Sequence, residues 1–197
     1  MMTKVTLTID KTDRARATWR YLTQSPSDIP ADIGDTMMNF LIQRLGFDEG
    51  YIDSHVKTIF INGKPVDDVN TATIPAHARI ALGAVAPGVA GITMCRNSPI
   101  SGMRRSITYQ NTEPVQNITE GTVTLLLFNA IMEEKGLQIL EKGITISAEK
   151  LENAIEEVPE SITAASLDDA SISTAQLLEW VQKNPQLQVQ LQVNSSS

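Results

Sequence analysis

Apolar and polar residues alternate at the start of the chain, with Val5, Leu7 and Ile9 set against Thr6 and Thr8. A period of two with β-branched residues predicts a half-buried strand. Residues 15–22 allow a second strand, with Ala15, Ala17, Trp19 and Tyr21 on one face; a helix is the alternative. Residues 25–30 carry two prolines and read as loop. The period then changes. Asp35 is placed to cap a helix over 35–45, with Met37, Phe40, Leu41 and Leu45 on its apolar face and Gly46 just past its end. Strands are expected over 56–61 and 78–85, and Asn62-Gly63 is a tight-turn signal leading into Lys64-Pro65-Val66.

In the second half the pattern predicts mostly helices. Thr119 is positioned to cap a helix over 120–135 carrying Val123, Leu126, Leu127, Ala130 and Ile131, and Gly136 interrupts it. Leu137, Ile139 and Leu140 fit another turn, and residues 144–146 a short strand. Ser147 caps a helix through Glu157 whose apolar side is Leu151, Ile155 and Val158, and Pro159 marks its end. Ser173-Thr174-Ala175-Gln176 has the form of a capping box, opening a helix that carries Leu177, Leu178, Trp180 and Val181. Residues 186–193 alternate glutamine with Leu187, Val189, Leu191 and Val193. Such a strand must pair, in its own domain or with a partner subunit, because an open apolar edge invites association.

The block Thr58-Ile59-Phe60-Ile61-Asn62-Gly63-Lys64-Pro65-Val66-Asp67, followed by Ala78-Arg79-Ile80-Ala81-Leu82, resembles the β-grasp, ubiquitin-like fold. It resembles in particular the small sulfur-carrier proteins of molybdopterin and thiamine synthesis, over about residues 3–91. Carrier chemistry in that family needs a free C-terminal Gly-Gly for adenylation and thiocarboxylation. Here the corresponding residues are Ala86-Pro87-Gly88-Val89-Ala90-Gly91, without that pair and with a long chain after them. The resemblance therefore implies a scaffold; carrier activity would require processing between Gly88 and Gly91.

Charge sharpens the division. The 197 residues carry a formal charge of −7. Residues 1–110 hold 12 Lys+Arg against 10 Asp+Glu, and residues 111–197 hold 4 against 13. The shift falls at a polar linker, Gln110-Asn111-Thr112-Glu113-Pro114 and Gln116-Asn117, where Pro114 favours an extended Glu113. The expected fold class is α+β: a β-grasp-like domain over 1–91, an arginine-containing connection over 92–116, and a smaller, mainly helical acidic domain over 117–197 ending in a strand.

Candidate chemistry is sparse. Residues 81–94 are uncharged and built from small residues, which fits a packing or oligomer contact, with a loop or a pocket wall as alternatives. Next come Cys95, Arg96, Arg104 and Arg105. Arginine forks suit a phosphate, a carboxylate or a protein partner, although the acidic second half offers them carboxylates in the same chain. Cys95 beside Arg96 is either a thiol of lowered pKa or an inert buried one. With His55 and His77 as the only histidines, no metal site or catalytic residue is assigned. No cofactor motif is present, and the negative charge disfavours nucleic acid. No apolar run approaches the ~20 residues of a membrane span. The N-terminus lacks a secretory pattern, so a cytoplasmic setting is expected. These readings favour a non-catalytic binding or assembly protein that self-associates, or binds another protein. The alternatives are a processed sulfur carrier and a small enzyme using Cys95 and the arginine loop.

Overall fold

Strand β1 (Thr3–Ile9) buries Val5, Leu7 and Ile9 completely, as its alternation requires. The computed structural model describes residues 2–111 and 117–196. The proposed linker residues Thr112, Glu113, Pro114 and Gln116 lie outside the described residues.

The next segment corrects an expectation. Residues 15–22 do not form a strand; α1 (Asp13–Tyr21) is a helix whose N-cap, Thr12, accepts from the Ala15 N–H at 3.3 Å. The helical set Ala15, Thr18 and Trp19 is buried, and Tyr21 is exposed. A cap, Asp13 in the first turn and Arg20 in the last outweigh a short period-two coincidence. The segment expected to be loop contains β2 (Ser27–Ile33). Ser27, Ile29 and Ala31 are buried while Asp28 and Pro30 are exposed, the period-two burial of a strand.

Helix α2 (Met37–Asn39) continues as a π-helical turn over Phe40–Arg44. Its cap is Thr36, one residue later than expected, whose hydroxyl accepts from the Asn39 N–H. Asp35 braces the cap by accepting from the Thr36 N–H at 2.7 Å. Helix α3 (Glu49–Ser54), capped by Asp48, has no counterpart in the sequence reading. Then follow β3 (Thr58–Ile61), β4 (Lys64–Pro65) and β5 (Arg79–Gly83). Asn62 and Gly63, at φ 51° and 76°, form the expected tight turn.

Helix α4 (Gly88–Met94) and a 3-10 turn over Ser101–Arg104 precede β6 (Thr119–Leu127). Here the expected helix over 120–135 is corrected. Its first part is a strand that buries Val123, Leu125, Leu126 and Leu127, and the helix begins later, as α5 (Asn129–Lys142). A run of four apolar residues fits either period, and the β-branched Thr119, Thr122, Val123 and Thr124 favour the sheet. Gly136 lies inside α5 without ending it. The remaining elements are β7 (Ile144–Ser147), α6 (Ala148–Glu157), β8 (Ile162–Leu167), β9 (Ala170–Ile172), α7 (Thr174–Lys183) and β10 (Gln188–Ser195). Both halves of the Ser173–Gln176 capping box form.

The protein is α+β, and its chain divides into two compact units, 1–27 with 133–197, and 28–132. In the first unit the strand order is β7-β10-β1-β8-β9. β10 runs parallel to β1, from Thr3 opposite Val189 to Ile9 opposite Ser195, and antiparallel to β7. β8 is antiparallel to β1, and β9 to β8. The alternating C-terminal strand is therefore an interior strand of its own chain. Trp19 is fully buried, and its indole donates to the Ser161 hydroxyl at 3.1 Å. In the second unit the order is β4-β3-β5-β6-β2, with β5 and β6 parallel and β3 antiparallel to β5. Met37, Leu41, Phe47, Ile52, Ile59 and Ile80 anchor its core.

This division differs from boundaries at 91 and 116, because β1 pairs with strands from the far end of the chain. Residues 117–197 also hold five strands beside three helices among the described residues, so the part read as mainly helical is mixed. The charge asymmetry dissolves as well. The first unit carries 9 Lys+Arg against 13 Asp+Glu and the second 7 against 10. Among the described residues no helix is long and apolar enough to cross a membrane.

Candidate functional site

The uncharged stretch and the arginine loop both belong to the second unit, where they wrap β3 and β5. Gly91 sits so close to the chain that a Cβ there would lie 2.4 Å from the Ala86 carbonyl oxygen. That contact folds α4 back onto the end of the β5 segment. The helix then ends at Cys95, which is buried; its Sγ lies 3.4 Å from the Gly91 carbonyl and 3.7 Å from the Thr58 hydroxyl.

Arg96 is buried too. Its backbone N–H donates to the Lys57 carbonyl at 2.6 Å, its Nη1 donates to the Val56 carbonyl at 3.1 Å, and its Nη2 lies 3.7 Å from Asp53. Its Nε is buried with no partner among the described residues. Burial pushes the Arg96 guanidinium below its ordinary range, against the pull of Asp53 and Asp68.

Arg104 is 2% exposed. It donates from Nε to the Thr93 carbonyl at 2.6 Å, from Nη2 to the Cys95 carbonyl at 3.2 Å, and from Nη1 to the Thr108 hydroxyl at 3.0 Å. Its two terminal nitrogens also grip the Asp67 carboxylate, at 2.5 and 3.3 Å. Arg105, by contrast, is exposed.

The partners correct the expectation that these arginines face the acidic second half. Arg96 and Arg104 meet Asp53 and Asp67, from the same unit. The acidic residues of the second half have other partners: Arg14 lies 3.4 Å from Glu160 and Lys4 3.5 Å from Asp169. The structure does not gather Cys95, Arg96, Arg104 and Arg105 around one open space. It brings Cys95 and Arg104 together through a backbone carbonyl, and leaves Arg105 at the surface.

Two hollows lie in the same unit. One, of about 280 Å³, includes Asp67, Asp68, Tyr109 and Asn111 in its lining. Its polar groups are used internally. Asp67 is held by Arg104, and the Tyr109 hydroxyl donates to the Thr73 carbonyl at 2.8 Å. Asn111 accepts from Thr73 and donates to the Thr71 carbonyl. Asp68 accepts from the Asn70 N–H at 2.9 Å, which holds its carboxyl below the ordinary carboxylate range. Burial raises the Tyr109 phenol.

The other hollow, of about 180 Å³, is apolar: Phe60, Ala81, Gly83, Ala86 and Phe128 line much of it. The Thr58 hydroxyl donates to the Ala84 carbonyl at 3.0 Å, and the Asn129 side chain accepts from the Ala84 N–H at 2.8 Å. Around it Val85, Ile92 and Phe128 are exposed, and Val89 is 70% exposed. The sequence flags the 81–94 stretch by its lack of charge, but Phe60 and Phe128 join it only through strand pairing.

The histidines stand apart from Cys95 in their contacts. His55 stacks on Tyr51 with ring centroids 4.8 Å apart, and its Nδ1 lies 2.7 Å from the Ser54 hydroxyl. His77 sits in a turn at φ 55°. No cluster of three or more His, Cys, Asp or Glu suited to a metal occurs among the described residues. No family model, curated protein or solved structure matches the chain.

Proposed function

We propose that this protein is a non-catalytic binding and assembly module that associates with a second copy of itself through the uncharged surface around α4. One observation carries the reading: Val85, Val89, Ile92 and Phe128 are exposed where residues 81–95 carry no charge at all. Exposed apolar area of this kind marks association surfaces. In a two-fold contact the residues nearest the axis meet their own copies, so a charge there would meet its like; an uncharged surface avoids that repulsion.

The scaffold is a ubiquitin-like one in this proposal, placed on residues 28–132. The β3–β4 hairpin through Asn62-Gly63, the helical segment between β2 and β3, and the central parallel pair β5 and β6 support that reading. In it β6 takes the place beside β5, and residues 3–9 have no part. A cytoplasmic setting belongs to the same proposal, in keeping with a single cysteine in the sequence. Processing between Gly88 and Gly91 would cut within α4. Chemistry at Cys95 would need a buried thiol to be uncovered.

Light scattering coupled to size exclusion tests the proposal. At micromolar concentration the expected mass is twice that of the chain, falling to a single chain on dilution. A strict monomer up to the solubility limit overturns it.

A further inference from the structure

The turn between β3 and β4 holds a reactive pair, and we propose that Asn62 is a self-modifying position. In the folded protein the Gly63 amide nitrogen closes on the Asn62 side chain, and the ring that forms opens to aspartate and isoaspartate.

The step needs no co-reactant but water. The Gly63 N–H gives its proton to solvent, and the nitrogen attacks Cγ of Asn62. An N–C bond forms, the Cγ–Nδ2 bond breaks, and Nδ2 takes a proton from water and leaves as ammonia. Water then opens the succinimide ring at either carbonyl. One opening leaves an aspartate in an ordinary chain; the other leaves isoaspartate, with the main chain running through the former side chain.

The geometry of the turn favours this attack. Gly63 has no Cβ, and nothing stands within 4 Å of where one would be, so its nitrogen is open to approach. Its N–H makes no hydrogen bond among the described residues. Asn62 and Gly63 are both exposed, so water reaches the ring. The Asn62 side chain is held as well: its Oδ1 accepts from the Arg79 N–H at 2.8 Å. Negative charge collects on that oxygen as Cγ becomes tetrahedral, and a fixed donor at a developing oxyanion lowers such a barrier. Asn97 and Asn129 share the left-handed φ of Asn62, and Asn129 also accepts from a backbone N–H, but Ser98 and Ala130 follow them and their side chains crowd the attacking nitrogen.

The product changes the fold locally. Isoaspartate adds a methylene to the main chain between β3 and β4, so Phe60 opposite Pro65 and Ile61 opposite Lys64 lose their register. The Pro65 carbonyl accepts from the Tyr109 N–H at 2.8 Å, and the disturbance therefore reaches the loop that Arg104 fastens. Asn62 acts as a clock on this hairpin.

Peptide mapping by mass spectrometry, on the full chain incubated at mildly alkaline pH, tests this. Asn62 is expected to give both products, at least about tenfold faster than Asn97 or Asn129 and no more than about tenfold slower than in the urea-unfolded chain. A smaller lead over Asn97 and Asn129, or a larger lag behind the unfolded chain, overturns the proposal; the lag would show that the turn shields the pair. Aspartate without isoaspartate means direct hydrolysis by water and overturns the ring route. Asn62→Gln, whose side chain is a methylene too long, should stay unmodified, and conversion there at the rate of Asn62 overturns it too.

Discussion

Arg104 shows how much one side chain can fasten. It ties the end of α4, the Cys95 carbonyl and Thr108 to Asp67, so a loop with no sheet of its own is held at four points. Replacing it by alanine strands buried carbonyls and half of an ion pair. Because Asp67 is 42% exposed, part of that loss is made good by water. The expected cost of Arg104→Ala is about 2–4 kcal/mol, measured as a fall in the urea midpoint. Arg104→Lys should recover little of it, since an ammonium has no planar fork to reach three directions at once. A midpoint unchanged in the alanine variant would remove this fastening role. The sequence shows Arg96, Arg104 and Arg105 as equals. Burial separates them, and burial follows from neighbours such as Val56, Thr93 and Asp67, which spacing alone does not bring together.

Among the elements, caps and turns were legible where the signal is local. Asn62-Gly63, Ser147 and Ser173 each act through residues within four positions, so the sequence contains their whole mechanism. In two of the corrected segments the local signal fits two periods. α1 offered alternation as well as a helical face, and β6 ends in three consecutive leucines. The choice fell to the sheet in β6, where pairing with β5 supplies hydrogen bonds from outside the segment. Gly136 carries a prediction of the same kind. By intrinsic propensity alone, glycine to alanine inside α5 would stabilise by about 1 kcal/mol. Here a Cβ would stand 2.9 Å from the Cβ of Arg20 and 3.2 Å from the Thr23 hydroxyl. Gly136→Ala should therefore destabilise, by about 1–2 kcal/mol, because α1 and its following turn must give way. A raised melting temperature in this variant would show that the approach is looser than described.

For the whole molecule, the two ends of the chain are partners. β10 lies between β1 and β7, so removing residues 188–197 takes out an interior strand and leaves Val5, Leu7 and Ile9 without their parallel neighbour. Both tryptophans, Trp19 and Trp180, belong to this unit, which makes intrinsic fluorescence a reporter of it. The truncated chain should show red-shifted emission and no cooperative unfolding of the tryptophan signal, while an intact signal would mean the unit tolerates the loss.

The sequence by itself determined that β1 and β10 are half-buried strands, where the helices capped by Ser147 and Ser173 begin, and that residues 81–94 carry no charge. Those properties are written in a residue and its near neighbours. Tertiary structure decided which strands pair, which arginines are buried, and that the basic residues of the first 27 positions share a unit with the acidic C-terminal segment. A strand's alternation states that it needs a partner on each side, but its backbone groups are the same in every strand. Only the folded chain, by satisfying all of them together, selects who stands next to whom.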